Sequence, residues 1–280
     1  MRQYFYKCFI VTLFIVMSAL PVLAQRNYRN TQLKRKHQGV VEVVGGAGVT
    51  YYMGDLRQST FKNLGLGPNI GAGLTYRLLN RACLRSELRF YNVGGSQVGN
   101  TNSNNSLSFR TTSADVYIGA QLELFRYTDK MPLNVYLFGG IGLTYLNPHA
   151  TLDGKSYSLA PYQTEGIKYS RVVMASPAGL GVMYQLDEQL KIGIEVSSTY
   201  VNSDYFDDVS NKYVAFSDQN SIAARLADRK PEFGFAPSQP GDVRGNPTNK
   251  DLYIILALKA NYTLRSRFGQ RNQLKCNNLE

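Results

Sequence analysis

The sequence has no tryptophan, and only three cysteines and two histidines among 280 residues. Three cysteines cannot build a disulfide framework. Cys8, Cys83 and Cys276, with His37 and His149, make none of the paired spacings of a zinc site, so no metal and no cofactor is expected. Beyond the N-terminal segment, no run approaches the roughly 20 apolar residues of a membrane-spanning helix. Charged residues are scarce at 18%, against 44% hydrophobic, and that balance excludes global disorder.

The first residues read MRQYFYKCFIVTLFIVMSALPVLAQ. Arg2 and Lys7 form a basic start, Phe9 to Leu20 an apolar core, and Val22-Leu23-Ala24 a cleavage site. Residues 1–24 are therefore expected to be a secretory signal peptide. No cysteine follows the cut, which argues against lipoprotein processing. Cys8 leaves with the signal. Cys83 and Cys276 could pair in an oxidising compartment. Two unpaired thiols is the preferred reading, because Cys276 sits in a polar tail.

The net charge is +11, and most of it sits in two terminal runs. Arg26, Arg29, Lys34, Arg35 and Lys36 lie in a basic arm at 25–38. Arg265 ends the central region at 39–265, and Arg267, Arg271 and Lys275 lie in a basic tail at 266–280. A nucleic-acid binder would spread such charge over a folded face with interleaved aromatics. Terminal basic runs read instead as solvated arms, or as contacts to an acidic partner. No nucleic-acid partner is expected.

What the sequence does have is alternation. Twenty Tyr, 13 Phe and 25 Gly suit strands better than helices. Leu84, Leu88 and Phe90 alternate with Arg85, Glu87 and Arg89. Val116, Ile118, Leu122 and Leu124 alternate with Asp115, Tyr117 and Glu123. Ile192, Ile194 and Val196 alternate with Lys191 and Glu195. Leu252 to Leu264 sets an apolar face against Lys259, Asn261 and Thr263. Weaker segments at 40–52, 69–78, 134–146 and 172–185 bring the expected total to eight strands. Each runs about ten residues or more, enough to cross a bilayer at a tilt. Short links at 79–81, 127–132 and 186–189 alternate with long ones at 53–68, 95–107, 147–170 and 203–250.

The expected fold is all-β: an eight-stranded antiparallel transmembrane β-barrel with short periplasmic turns and long extracellular loops. Both termini then lie in the periplasm, and outer-membrane lipids surround the wall. A soluble sandwich or a lipocalin-like barrel would point its apolar face inwards instead. Tyr51, Tyr52, Phe90, Tyr91, Phe109, Tyr145 and Tyr200 are expected to ring the long-loop interface. Tyr76, Phe125, Tyr127, Tyr184 and Tyr262 are expected to ring the other. Eight strands leave an interior that side chains fill. The polar faces offer Arg77, Arg85, Arg89, Lys191 and Lys259 against Glu87, Asp115, Glu123 and Glu195. A lumen plugged by ion pairs is expected, rather than an open pore.

Five stretches carry a resemblance. They are Tyr51 to Leu56 after the first strand, Asn69 to Tyr76 in the second, Leu107 to Arg110 opening the fourth, Tyr205 to Ser210 after the seventh, and Arg244-Gly245-Asn246-Pro247 before the eighth. Together they resemble the outer-membrane barrel family that includes PorG, a component of the type IX secretion system. The resemblance covers roughly residues 40–264. It implies a small barrel, and for a close relative of PorG a role in protein secretion with the periplasmic ring proteins PorK and PorN. The chain departs from the simplest barrel pattern in continuing for sixteen residues after Leu264.

Catalytic chemistry is not expected. His149 lies near Asp153 and Ser156, but three loop residues within eight positions do not fix a triad geometry. Asp204, Asp207 and Asp208 lack the regular ligand ladder of a calcium loop. They read better as caps that fold a loop onto the barrel rim. Leu64 to Pro68 has no following lysine and no helix, so it reads as a turn rather than a phosphate loop. Ser221 to Leu226 suggests one short helical turn in the long 203–250 connection. That connection reads equally as a binding surface or a floppy shield.

Overall fold

The computed structural model describes residues 39–54, 56, 65–97, 106–129, 131–246 and 250–264. The chain divides into Met1–Gln38 and Gly39–Glu280, and the fold below belongs to the second unit. The expected signal peptide, basic arm and basic tail lie outside the described residues, as does Cys276.

Ten strands form: β1 (Val41–Met53), β2 (Gly67–Arg77), β3 (Ala82–Ser96), β4 (Ser108–Glu123), β5 (Leu133–Tyr145), β6 (Pro148–Leu152), β7 (Lys155–Ser158), β8 (Val172–Gln185), β9 (Leu190–Val201) and β10 (Leu252–Leu264). Eight of them close a ring. Each of β1 to β4 pairs with the next, β5 pairs with β8, and β8, β9 and β10 return to β1. Every pairing is antiparallel. Closure leaves these eight strands without a free edge.

Alternation dictates which way each side chain points. Leu258 is 68% exposed and its neighbour Lys259 only 5%. The same inversion recurs around the ring. Leu74, Leu88, Val116, Ile141, Leu180 and Ile194 are exposed, while Arg77, Arg89, Asp115 and Glu195 are buried. A soluble barrel would show the reverse. An exposed apolar face this extensive needs a non-aqueous neighbour, and the barrel wall of an outer-membrane protein has one in lipid.

The barrel strands run 11 to 16 residues. Short connections join β2 to β3, β4 to β5 and β8 to β9; the other four are long. The wall contains one ladder gap. Gly139 pairs with Ala178 and Gly142 with Ala175, but the two rungs between them are missing. Pro177 sits there and has no N–H to offer the Gly140 carbonyl.

Two findings correct the sequence reading. The third long connection holds a hairpin, β6–β7, which continues the sheet above β4 through Arg110 opposite His149. Its Asp153-Gly154 turn has positive φ at both residues, 51° and 76°. Such a two-residue turn favours Asp-Gly, because its backbone twist matches that of the strands. The second correction concerns the upper aromatic ring. Tyr52, Tyr91 and Phe109 are buried in the interior, not at the lipid interface. In Tyr51-Tyr52 and Phe90-Tyr91, adjacent residues point to opposite faces, so only one of each pair can meet lipid.

Candidate functional site

The interior is filled in layers from the short-turn end upward. Arg77 on β2 grips Glu123 on β4 with two bonds of 2.9 and 2.8 Å. Its guanidinium lies 4.4 Å from the centre of the Tyr127 ring. Beside it, Lys191 on β9 reaches Glu42 on β1 at 2.5 Å, and Asn261 donates to the other Glu42 oxygen at 3.1 Å. A cavity of about 40 Å³ opens here between Glu42, Glu123, Tyr127 and Lys191, and Tyr136 forms part of its lining.

The middle layer is a four-charge cluster. Arg85 holds Glu195 by bonds of 2.6 and 2.9 Å and Glu87 at 2.5 Å. Lys259 bonds Glu87 and lies 3.4 Å from Glu195. Tyr117 and Tyr136 add hydroxyl donors, to Glu87 at 2.9 Å and Glu195 at 2.6 Å. The Lys259 stem crosses Gly46, and the Tyr136 ring crosses Gly181; a Cβ at either glycine would collide with the crossing side chain. These two glycines make room for the long side chains that fill so narrow a ring.

Above this, Arg89 clamps Asp115 with bonds of 2.8 and 2.9 Å and donates to Thr199 at 3.1 Å. The Tyr253 hydroxyl donates to the same aspartate. Tyr253 also begins an apolar seal. Its ring stacks on Tyr91 at 4.6 Å and Phe206 at 5.6 Å, and Tyr52 meets Phe109 edge-on at 4.9 Å.

All nine expected lumen residues therefore face inward and join ion pairs. Glu42 was not among them. It lies in phase with the inward Val44, two residues on, and that parity was the available signal. With it, Arg77, Arg85, Arg89, Lys191 and Lys259 meet Glu42, Glu87, Asp115, Glu123 and Glu195. Five cations then balance five anions. A charge buried without a partner is heavily penalised, so the balance is a condition of folding.

The cap over the lumen comes from two loops. Phe206 leads the 205–210 segment down onto the aromatic seal, where the Tyr52 hydroxyl lies 2.6 Å from an Asp207 carboxylate oxygen and 2.7 Å from one of Asp251. Glu165, from the loop after β7, accepts from the Ser210 backbone N–H at 2.9 Å and from Arg244 at 2.9 Å. Arg244 also bonds the Asp208 carbonyl. Thr164 and Tyr169 donate to the Asp208 carboxylate. Burial raises the Asp208 pKa against the lowering pull of Arg244. The acidic run thus folds the loop onto the rim, and no metal-binding cluster occurs among the described residues. Buried Tyr213 is pushed up to about 12 by the same desolvation.

The loop after β9 also carries helix α1 (Ile222–Ala227), begun by Ser221, whose hydroxyl accepts from the Ala224 N–H at 3.2 Å. Leu226 packs on Ala150, Leu152 and Leu159 of the hairpin region. Arg225 binds Asp153 at 2.8 and 3.0 Å. His149 bonds the Asn147 carbonyl through Nδ1 at 2.8 Å, so Asp153 and His149 have separate partners. Cys83 is a buried free thiol. Arg26, Arg29, Lys34, Arg35, Lys36, Arg265, Arg267, Arg271 and Lys275 lie outside the described residues.

A family model described as "Outer membrane protein beta-barrel domain" matches residues 11–218, more than half of the chain. The chain belongs to that family. No curated protein matches it. Among solved structures, this outer-membrane barrel is similar to Neisserial surface protein A (12% identity, TM-score 0.40). That match covers 80% of this chain and 97% of the other. It is also similar to OprG from Pseudomonas aeruginosa (11%, 0.38), covering 82% and 98%. Ail, the attachment invasion locus protein of Yersinia pestis, matches at 12% and 0.37, covering 80% and 99%.

Proposed function

We propose that this outer-membrane barrel is a non-enzymatic anchor rather than a channel. On this reading it is a PorG-like component of the type IX secretion system that fixes the periplasmic PorK and PorN ring at the membrane. The observation that carries the anchoring part is the filled lumen: three layers of ion pairs lie beneath an aromatic seal. The secretion part is supported by the sequence motifs, of which Tyr205 to Ser210 and Arg244 lie in the loop cap.

In this reading the short turns and both termini face the periplasm. Arg26, Arg29, Lys34, Arg35, Lys36, Arg265, Arg267, Arg271 and Lys275 then engage an acidic ring surface. Such contacts weaken with salt. Deleting the gene tests the assignment: export of proteins bearing a type IX signal is lost and returns with a plasmid copy. Normal export in the deletion strain overturns it. A charge-reversed arm and tail that still co-purify fully with the ring would remove the tail contacts alone.

The second reading is an autonomous structural or adhesive barrel whose extracellular loops bind a ligand. It is favoured by the loop cap, which is built from packed helix and hairpin rather than left as a shield. It requires normal secretion after deletion, and lost binding when 203–250 is trimmed.

A further inference from the structure

The barrel strands have no free edge, but the hairpin above them does. The sheet runs from β4 to β6 to β7 and stops. The hydrogen-bond phase identifies which groups are left over. The Leu159 N–H donates to the Pro148 carbonyl, so that pair is a bonded rung. Bonded and non-bonded pairs alternate in an antiparallel ladder. Tyr157 opposite Ala150 and Lys155 opposite Leu152 are therefore bonded rungs too, and Ser156 and Ser158 are not. The N–H and C=O of Ser156 and Ser158 point away from β6, and none of them bonds another described backbone group.

This edge is held rigidly in place. One face of the hairpin carries Ala150 and Leu152, which pack with Leu159 against Leu226 of α1. Arg225 braces the turn at Asp153. The edge itself is open: Lys155 and Ser156 are exposed, and Ser158 is half-buried. Cations stand at both ends. Lys155 begins the strand. Arg171 donates to the Ser158 hydroxyl at 3.0 Å and to the Tyr145 hydroxyl at 3.0 Å. Neither cation forms an ion pair among the described residues, and the nearby Asp153 is engaged by Arg225.

We propose that the β7 edge binds an extended, acidic polypeptide segment by strand addition. The four outward backbone groups of Ser156 and Ser158 supply two rungs, and Lys155 and Arg171 select carboxylates at the two ends of the added strand. Main-chain bonds supply affinity in this mode and flanking side chains supply specificity. The occupant is a protein outside the barrel, and the proposal does not depend on the secretion reading.

The test uses the full chain in detergent micelles or nanodiscs. The probe is a seven-residue capped peptide of alternating threonine and valine with glutamate at each end. Hydrogen exchange reports the Ser156 and Ser158 amides, and fluorescence anisotropy reports binding. Bound peptide should slow both amides at least about tenfold. S156P should abolish binding while leaving the Tyr157 amide protected, because the Ser156 N–H takes no part in the β6 ladder. K155E should weaken binding about threefold, as one exposed ion pair would. If S156P also frees the Tyr157 amide, the hairpin has been damaged and K155E decides. Unchanged exchange at millimolar peptide, or equal binding by wild type and the deciding variant, overturns the proposal. Equal binding of a glutamine-ended peptide overturns the acidic assignment. Protection that rises with barrel concentration alone gives the edge to a second copy and overturns it as well.

Discussion

The lumen and the loop cap use the same chemistry under different constraints. Both bury carboxylates against arginine with tyrosine hydroxyls as helpers. In the lumen, Arg85, Glu87, Glu195 and Lys259 hang from strands whose register sets their height, and the charges balance. In the cap, Glu165, Asp208 and Arg244 come from loop positions up to 79 residues apart, and Glu165 binds backbone N–H groups as well as arginine. The difference teaches that the lumen network is part of the barrel's stability, whereas the cap network positions loops over a barrel that is already closed.

The comparison is broken most directly at Arg85. Arg85→Ala leaves Glu87 and Glu195 with Lys259 as their one shared cation, and should cost about 3–5 kcal/mol, as expected for a broken buried pair. Urea titration of the barrel refolded in lipid vesicles should show the loss. Replacing Arg85 and Glu195 together with apolar residues of similar volume should recover part of it; a loss in the double variant equal to the sum of the two single-variant losses would mean the pair is not coupled.

Tyr253→Phe tests the junction between the regions. It keeps the ring stack on Tyr91 and Phe206 but removes a donor to Asp115. The expected cost is about 1.5–3 kcal/mol, because the acceptor is charged. It should appear in global unfolding, whereas a change confined to the loops would assign Tyr253 to the cap.

Glu165→Gln should sharpen the contrast from the other side. It keeps one acceptor and loses the charge facing Arg244, at about 1 kcal/mol of local stability. Exchange should speed at the Ser210 and Asn211 amides while the strand amides stay unchanged. Slower barrel refolding in this variant would show that the cap takes part in closure.

The smallest effect lies at the opposite end. Asp187 in the β8–β9 turn accepts from the Gln189 and Leu190 N–H groups at 2.7 and 2.8 Å, and these bonds lower its pKa. A lowered carboxyl stabilises above its ordinary pKa, and that contribution fades as pH falls through the lowered value. Asp187→Ala should therefore speed exchange of the Gln189 and Leu190 amides at neutral pH. The difference from wild type should disappear in strong acid. A pH-independent difference would assign the effect to turn geometry instead of charge.

Most of the barrel was legible in the sequence because strand alternation is a local property with a period of two. Lys191, Gly193 and Glu195 face inward for the same reason that Ile192 and Ile194 face out. Glu42 shared that parity, but glycines interrupt the weaker first strand and obscure it. Tyr52 and Tyr91 were misplaced because aromatic clustering near a strand end does not record which face a residue occupies. The β6–β7 hairpin was legible in principle through Asp153-Gly154, yet its strands are only five and four residues long.

By itself, then, the sequence determined the number of barrel strands, the alternation of short and long connections, the polar filling of the interior and the apolar wall. Each follows from patterns within a dozen consecutive residues. Only the tertiary structure decided which charges pair, that Glu42 completes the balance, that Phe206 descends onto the aromatic seal, and that Glu165 meets Arg244. Those contacts depend on strand register around a closed ring and on loop paths, and neither is encoded by any short segment. The free edge of β7 belongs to the same class, because an edge exists only once every other strand has found its neighbour.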